Sequence, residues 1–219
     1  MRIMAAGRAA RRLIAGAALL GVIALSTGLA AVTTLSAGLA AERASVLETT
    51  RSLQRTLERL PYYGVFDFMA FDIDRGTVTL SGYAYSGSLR NAAEMAAKRT
   101  SGVDEVANRV EVLPASPNDD RIRWATFYRI YTDAFLSRYA SGGPDHVRRE
   151  LYQARRFGGM YQPLGLYDIH IIVRNGHTTL YGIVDNDGDR TIAEMKAREV
   201  SGVFSVENEI VVASKRGDR

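Results

Sequence analysis

The sequence predicts an α+β fold of two tandem α-β-β-α-β units, each a three-stranded sheet with two helices on one face. The first observation is a repeat, since residues 76–113 recur without a gap as residues 176–213 with 15 of 38 positions identical. A repeat of this length indicates a duplicated structural unit. The second observation is that apolar residues alternate with period two around Gly76 and Gly176 and then change to helical spacing.

The N-terminal segment, residues 1–41, has the composition of an export signal. Four arginines lie within the first 12 residues, and no charged residue follows from Leu13 to Ala41. A positive start and an apolar stretch are typical of a secretory signal peptide, and Gly38-Leu39-Ala40 offers small residues for cleavage. An uncleaved N-terminal anchor is the alternative, because the uncharged stretch is long enough to span a bilayer.

The charge balance does not favour a nucleic-acid partner. The whole chain has a formal charge of +4, but residues 42–219 carry 24 basic and 24 acidic side chains. A nucleic-acid-binding domain needs a clustered basic surface. The chain contains no cysteine, which fits an exported protein that needs no disulfide.

The first unit is predicted over residues 45–113. Ser45 and Glu48 have the spacing of a capping box, so a helix is expected to begin there and to end before Pro61. A strand follows, because apolar residues then alternate with polar ones. The apolar residues of this strand are Met69, Phe71 and Ile73.

A tight hairpin follows the first strand in each unit. Asp74-Arg75-Gly76 and Arg174-Asn175-Gly176 provide residues that tolerate positive φ. A second strand and a helix come next, and the helix stops at a Ser-Gly-Val sequence whose glycine suits a left-handed cap. A third strand ends each unit. We interpret ten repeated residues as determinants of the fold: Gly76, Gly82, Gly102, Val103, Asn108, Gly176, Gly182, Gly202, Val203 and Asn208.

The second unit is predicted over residues 121–213, between a linker at 114–120 and a tail at 214–219. The linker contains two prolines and an Asn-Asp-Asp run that is expected to cap the next helix. Aromatic residues at helical spacing in that helix are interpreted as core, with a ligand-facing or lipid-facing patch as the alternative. They are Trp124, Phe127, Tyr128, Tyr131 and Phe135.

The second unit holds about 25 residues that the first lacks, within residues 140–165. A helical pattern runs there from Asp145, a predicted cap, to Phe157, with arginines around an apolar side. These arginines are candidates for contact with anionic lipid headgroups, to which Val147, Leu151 and Phe157 would add shallow insertion if they are not packed. A solvated helix with paired arginines is the alternative. The candidate lipid-binding residues are Arg148, Arg149, Arg155 and Arg156.

Two groups of potential metal ligands have simpler explanations. Residues 185–189 contain three aspartates, but their spacing departs from the EF-hand pattern, so we expect a turn and a helix N-cap. His170 and His177 flank the second hairpin without further ligands. No nucleophile motif lies near any of the three histidines. The sequence therefore predicts no catalytic residue, metal or cofactor.

The repeated motifs resemble the BON domain of bacterial envelope proteins. They read G-x-x-T-L-x-G, R-x-x-A-E-M-x-A and S-G-V-x-x-V-x-N-x-[VI]-x-V. Two copies in tandem are similar to the osmotically inducible periplasmic members of that family, which respond to stress. The resemblance implies α-β-β-α-β units and a periplasmic location, free or anchored in the inner membrane.

The same resemblance implies a function without catalysis. It points to binding of phospholipid or another envelope component, and the family has no agreed catalytic motif to carry over. A protein-interaction or oligomerisation scaffold in the periplasm is the main alternative, in which exposed sheet edges or helix faces would dock a partner.

Overall fold

The computed structural model describes residues 44–157 and 162–213. The first unit contains a helix, a hairpin, a second helix and a last strand in two pieces. Its elements are α1 (residues 44–58), β1 (Phe68–Asp74), β2 (Thr77–Ala84), α2 (Gly87–Lys98), β3 (Glu105–Asn108) and β4 (Glu111–Val112).

The second unit repeats this order and adds a 3-10 helix and the inserted helix α4 before its hairpin. Its elements are α3 (Pro117–Tyr131), the 3-10 helix (Ser137–Tyr139), α4 (Gly143–Phe157), β5 (Ile169–Arg174), β6 (His177–Val184), α5 (Asp187–Arg198) and β7 (Ser205–Val212).

The two sheets have the same topology. In the first, β1 pairs with β2 as an antiparallel hairpin, and β3 lies parallel to β2. In the second, β5, β6 and β7 repeat this arrangement. The helices pack on one face of each sheet, since Leu57 and Ala93 share a core with Phe71 and Leu80. The predicted α+β fold of two tandem units is confirmed.

Two helices begin earlier than predicted. Helix α1 already includes residue 44, so Ser45 lies inside the helix instead of capping it. Helix α3 begins at Pro117, four residues before the predicted start, because the Ser116 hydroxyl accepts a hydrogen bond from the Asp119 amide at 3.2 Å. Proline suits the first turn of a helix since it lacks the amide hydrogen that would be unsatisfied there.

The repeated asparagines join the last strand of each unit to the preceding helix. The Asn108 amide donates to the Arg90 carbonyl at 3.1 Å, and the Asn208 amide donates to the Arg190 carbonyl at 3.0 Å. Each asparagine also accepts the amide of the residue two positions on. In the first unit the Arg90 guanidinium also donates a hydrogen bond to the Val110 carbonyl at 2.9 Å, and the last strand of that unit is interrupted.

The repeated glycines and valines lie at the turns and cores of the two units. Val103 and Val203 pack against the cores. The glycines adopt φ between +78° and +141°, a region that side chains disfavour. They are Gly76, Gly82, Gly102, Gly176, Gly182 and Gly202.

Replacing Gly182 with alanine is expected to destabilise the protein by roughly 1–3 kcal/mol, because strained backbone and a steric clash would coincide. Gly182 has φ +141°, and an added Cβ would collide with the carbonyl oxygen of Asp168, the residue that precedes β5. Gly87→Ala is the matched control, since nothing lies within 4 Å of a Cβ there. Equal midpoints for both variants in urea denaturation would contradict this expectation.

The two units meet along a seam in which residues 62–67 lie beside residues 162–165. Gly64 forms an antiparallel bridge with Leu164. The hydrogen bonds are reciprocal, because the residue 65 amide donates to the residue 163 carbonyl and the residue 165 amide donates to the residue 63 carbonyl. Backbone hydrogen bonds therefore join the two units at the seam.

The cores do not follow the boundaries of the repeat. Val65 and Phe66 precede β1 but belong to the core of the second unit. The Phe66 ring lies edge-on to Trp124 at 5.6 Å, and the Val65 carbonyl accepts the Ile171 amide at 2.8 Å. The first unit therefore supplies part of the second unit's interior.

The aromatic residues of α3 divide between the core and the surface. Phe127 and Tyr131 are buried, as predicted, and Trp124 is partly buried. Tyr128 is 51% exposed, and Phe135 follows the end of α3 with 60% exposure. Because α3 buries only the side that packs on β5, the core interpretation is wrong for Tyr128. It is also wrong for Phe135, which lies beyond the end of the helix.

Candidate functional site

The inserted helix α4 has one buried side and one exposed side. It begins at Gly143, so Asp145 lies in its first turn and not at the predicted cap. Val147 is 1% exposed, and Leu151 packs against the core of the second unit. These two residues are therefore not available for insertion into a membrane. The side chain of Phe157 lies outside the described part of the structure.

The exposed side of α4 carries all four predicted arginines. At about 100° of rotation per residue they fall within an arc of about 120°, with Tyr152 near its centre. Tyr152 is 64% exposed. We call this surface the arginine stripe. It comprises Arg148, Arg149, Tyr152, Arg155 and Arg156.

The four arginines are those predicted from the sequence, whereas Tyr152 was not among the predicted site residues. Its position four residues after Arg148 and four before Arg156 places it on the same side of a helix, so helical spacing could have revealed it. A tyrosine among arginines adds an apolar ring with a polar tip, which suits a boundary between water and an apolar phase.

Little negative charge offsets Arg148, Arg149 and Arg155 of the arginine stripe. Arg148 contacts Asp145 at 2.6 Å, but both side chains are more than three-quarters exposed, so water screens the pair. Within residues 44–157 and 162–213, Arg149 and Arg155 make no side-chain hydrogen bond or ion pair. Arg148, Arg149 and Arg155 beside one aspartate therefore form a local cationic surface within residues 42–219, where basic and acidic side chains are equal in number.

An apolar groove lies between α3 and α4 beneath Arg155. It has a volume of about 270 Å³ and is lined by Trp124, Tyr128, Leu151, Ala154 and Arg155. The Trp124 indole nitrogen is buried and has no hydrogen-bond partner among the described residues. Because Trp124 is the only tryptophan in the sequence, its fluorescence reports on this groove.

The aspartate-rich residues 185–189 form a turn and a helix cap. The Asn186 side chain accepts the Asp189 amide at 2.9 Å, which caps α5. The Asp189 carboxylate accepts a hydrogen bond from Tyr139 at 2.6 Å and pairs with Arg138. Across the described ranges, no group of three or more histidine, aspartate or glutamate side chains is placed to hold a metal ion.

The histidines lie in three separate environments. His170 is 4% exposed at the seam, between the rings of Tyr63 and Phe68. Burial lowers the pKa of His170 to about 4. His177 binds the Ser205 hydroxyl at the surface at 2.7 Å, and His146 lies 3.1 Å from the Tyr167 hydroxyl. The structure does not bring these side chains together.

The seam contains a buried carboxylate that was not predicted from the sequence. Asp67 is fully buried and accepts hydrogen bonds from the amides of Gly64 at 2.9 Å and Tyr85 at 2.6 Å. Gln162 of the second unit donates a third at 3.0 Å. Burial, opposed by these donors, raises the pKa of Asp67 to about 6. The sequence does contain a signal for this buried carboxylate, because Asp67 is the one charged residue among the apolar residues 65–69.

The predicted export segment, residues 1–41, and the tail, residues 214–219, lie outside the described residues. Among the helices between residues 44 and 213 that the structure describes, none has the length and apolar character needed to span a membrane.

Comparison with known proteins identifies one family. The model of the BON domain family matches residues 50–114 and 159–214. No curated protein shows significant similarity to the chain. The similar solved structures include the C-terminal domain of CdsD, a structural protein of the type III secretion system of Chlamydia trachomatis, at 14% identity and a TM-score of 0.23, covering 74% of this chain and 96% of that one. A second CdsD structure matches at 13% identity and a TM-score of 0.23, covering 75% and 93%.

Proposed function

The chain belongs to the BON domain family, and we propose that it is a non-enzymatic envelope protein that binds anionic phospholipid headgroups through the arginine stripe. The observation that carries the proposal is that α4 is an insertion into the repeated fold whose exposed side holds four arginines and a tyrosine. The predicted export segment supports a periplasmic location, either free or anchored in the inner membrane.

Electrostatic attraction supplies most of the proposed binding energy. Each arginine near an anionic bilayer contributes about 1 kcal/mol. Since Val147 and Leu151 are held in the protein core, α4 does not bury an apolar side in the membrane. The contact is therefore peripheral and reversible, and raising the salt concentration should weaken it because screening acts within about 10 Å at 0.1 M.

Neutralising the arginine stripe is expected to lower the affinity for anionic vesicles at least roughly tenfold at low salt. Sedimentation with phosphatidylglycerol vesicles would measure binding, and phosphatidylcholine vesicles would show the dependence on charge. Trp124 emission should shift when the wild type binds, since Trp124 lies beside Arg155. The substituted variant carries Arg148→Gln, Arg149→Gln, Arg155→Gln and Arg156→Gln.

A matched control removes the same charge from exposed arginines of the first unit. It carries Arg51→Gln, Arg55→Gln, Arg59→Gln and Arg99→Gln. This control should bind vesicles as the wild type does. Equal losses in both variants would show nonspecific attraction. Undiminished binding by the first variant, or no binding by the wild type, would overturn the proposed membrane contact, and concentration-dependent assembly in analytical ultracentrifugation would then favour the interaction-scaffold alternative.

A further inference from the structure

A second cavity lies on the face of the second sheet that points away from α3. Ile171 and Val173 of β5 belong to the core beneath the helices, so alternation places Ile172 and Arg174 on the other face. The cavity has a volume of about 370 Å³. We call it the seam groove. Its lining includes Tyr83, Arg174, His177, Thr179, Tyr181 and Glu207.

Both units build the seam groove. Tyr83 belongs to β2 of the first unit, and Arg174 of β5 binds Glu111 of β4 at 2.8 Å. The Phe68 ring stacks on Tyr181 with centroids 4.2 Å apart and planes 7° apart. These contacts hold the walls in place. Cavities between domains with volumes of about 300–1,000 Å³ are the usual sites of small ligands.

The charge of the seam groove disfavours an anionic ligand. Arg174 is balanced by Glu111, whereas Glu207 and Glu209 of β7 make no ion pair within the described residues. Burial and the neighbouring Tyr83, followed by Glu207 and Glu209, raise the pKa of the Tyr181 hydroxyl, so it stays protonated. The groove therefore differs in charge from the arginine stripe and does not fit the same headgroups.

The lining combines hydrogen-bonding groups with aromatic rings. Thr179, Tyr181 and His177 can each donate or accept, and the Glu207 carboxylate accepts only. A ligand with many hydroxyls satisfies such a mixture, because each hydroxyl can both donate and accept. Sugar rings also carry an apolar C–H face, which packs against aromatic side chains such as Tyr83.

We propose that the seam groove binds a short neutral saccharide. Its hydroxyls would bind Glu207, Thr179 and His177, and one sugar ring would pack on the tyrosines. This site lies on the opposite side of the second sheet from α3, against which α4 packs, and it goes beyond the proposed membrane contact. Neither activity requires the other.

Titration of the purified full-length protein with N-acetylglucosamine tetramer and with maltotetraose, followed by calorimetry and NMR, tests this inference. We expect saturable binding of at least one saccharide, with amide shifts in β6 and β7 and no change in Trp124 emission. Glu207→Gln should weaken it roughly tenfold or more, as loss of a hydrogen bond to a charged group does, and Thr179→Val should weaken it roughly threefold or more, as loss of a neutral hydrogen bond does. Glu207 is exposed and Thr179 half-buried, so both variants should fold.

Glu105→Gln is the matched control, because Glu105 is exposed on β3 of the first sheet and lies outside the groove. It should bind the saccharide as the wild type does. Absence of binding by both saccharides, undiminished binding by both groove variants, or preferential binding of a polyamine such as spermidine would overturn the inference. The groove variants should bind anionic vesicles normally, so failure here is distinguishable from failure of the membrane contact.

Discussion

Replacing Phe66 with alanine is expected to destabilise the second unit by roughly 3–5 kcal/mol, although Phe66 precedes the first strand of the first unit. Its side chain is 1% exposed and belongs to the core formed by the second unit. The Phe66 ring lies edge-on to the rings of Trp124 and Phe127, with distances between ring centroids of 5.6 Å and 6.5 Å. Its loss leaves a cavity beside Trp124 and Phe127, which are both fixed to α3, so we expect collapse to recover little of the lost contact.

Hydrogen exchange resolved by segment, combined with urea denaturation, measures this effect. Protection should fall in α3 and β5 of the Phe66→Ala variant. Phe71→Ala is the comparison, because Phe71 is 5% exposed and belongs to the first unit's own core. This substitution should reduce protection in β1 and β2. If Phe66→Ala reduced protection only in the first unit, the shared core would be refuted.

The second large effect is a pair of opposing pH dependences at the seam. Burial raises the pKa of Asp67 from 3.8 to about 6, so the folded chain holds this proton more tightly than the unfolded chain. Stability from Asp67 is present below pH 3.8 and is lost as the pH rises through about 6. At 1.36 kcal/mol for each pKa unit, the raised pKa of Asp67 lowers the free energy of unfolding by about 3 kcal/mol at neutral pH, relative to its value at low pH.

His170 acts in the opposite direction over the same pH range. Burial lowers its pKa from 6.5 to about 4, so the folded chain binds this proton less tightly than the unfolded chain. Stability from His170 is present above pH 6.5 and is lost as the pH falls through about 4, again by about 3 kcal/mol. The two contributions nearly cancel in the wild type.

Single substitutions should expose each dependence. Relative to the wild type, Asp67→Asn should lose about 3 kcal/mol of stability between pH 6.5 and pH 4, because only His170 remains. His170→Gln should gain about as much over that range, because only Asp67 remains. Urea denaturation at half-unit pH intervals measures both. Parallel stability curves for the two variants and the wild type would show that neither group titrates in this range.

The repeated architecture could be predicted from the amino-acid sequence, because the relevant patterns are local. Period-two apolar residues and a glycine after Asn175 are enough to predict the second hairpin. Helical spacing likewise brought the four arginines onto one predicted helix, and α4 extends only two residues beyond that pattern at its start. The start of α3 was missed because Ser116 caps the helix where the sequence suggested a cap at Asn118 to Asp120.

The place where the two units join, and the residues buried there, depend on contacts between distant parts of the chain. Asp67 and Gln162 are 95 positions apart, yet they share a hydrogen bond, and Phe66 enters a core built by the other unit. The seam groove depends in the same way on Tyr83 and Arg174 meeting across the units. Local periodicity fixes which face of a strand or helix is apolar, but the partner of that face depends on how the whole chain packs to remove apolar surface from water.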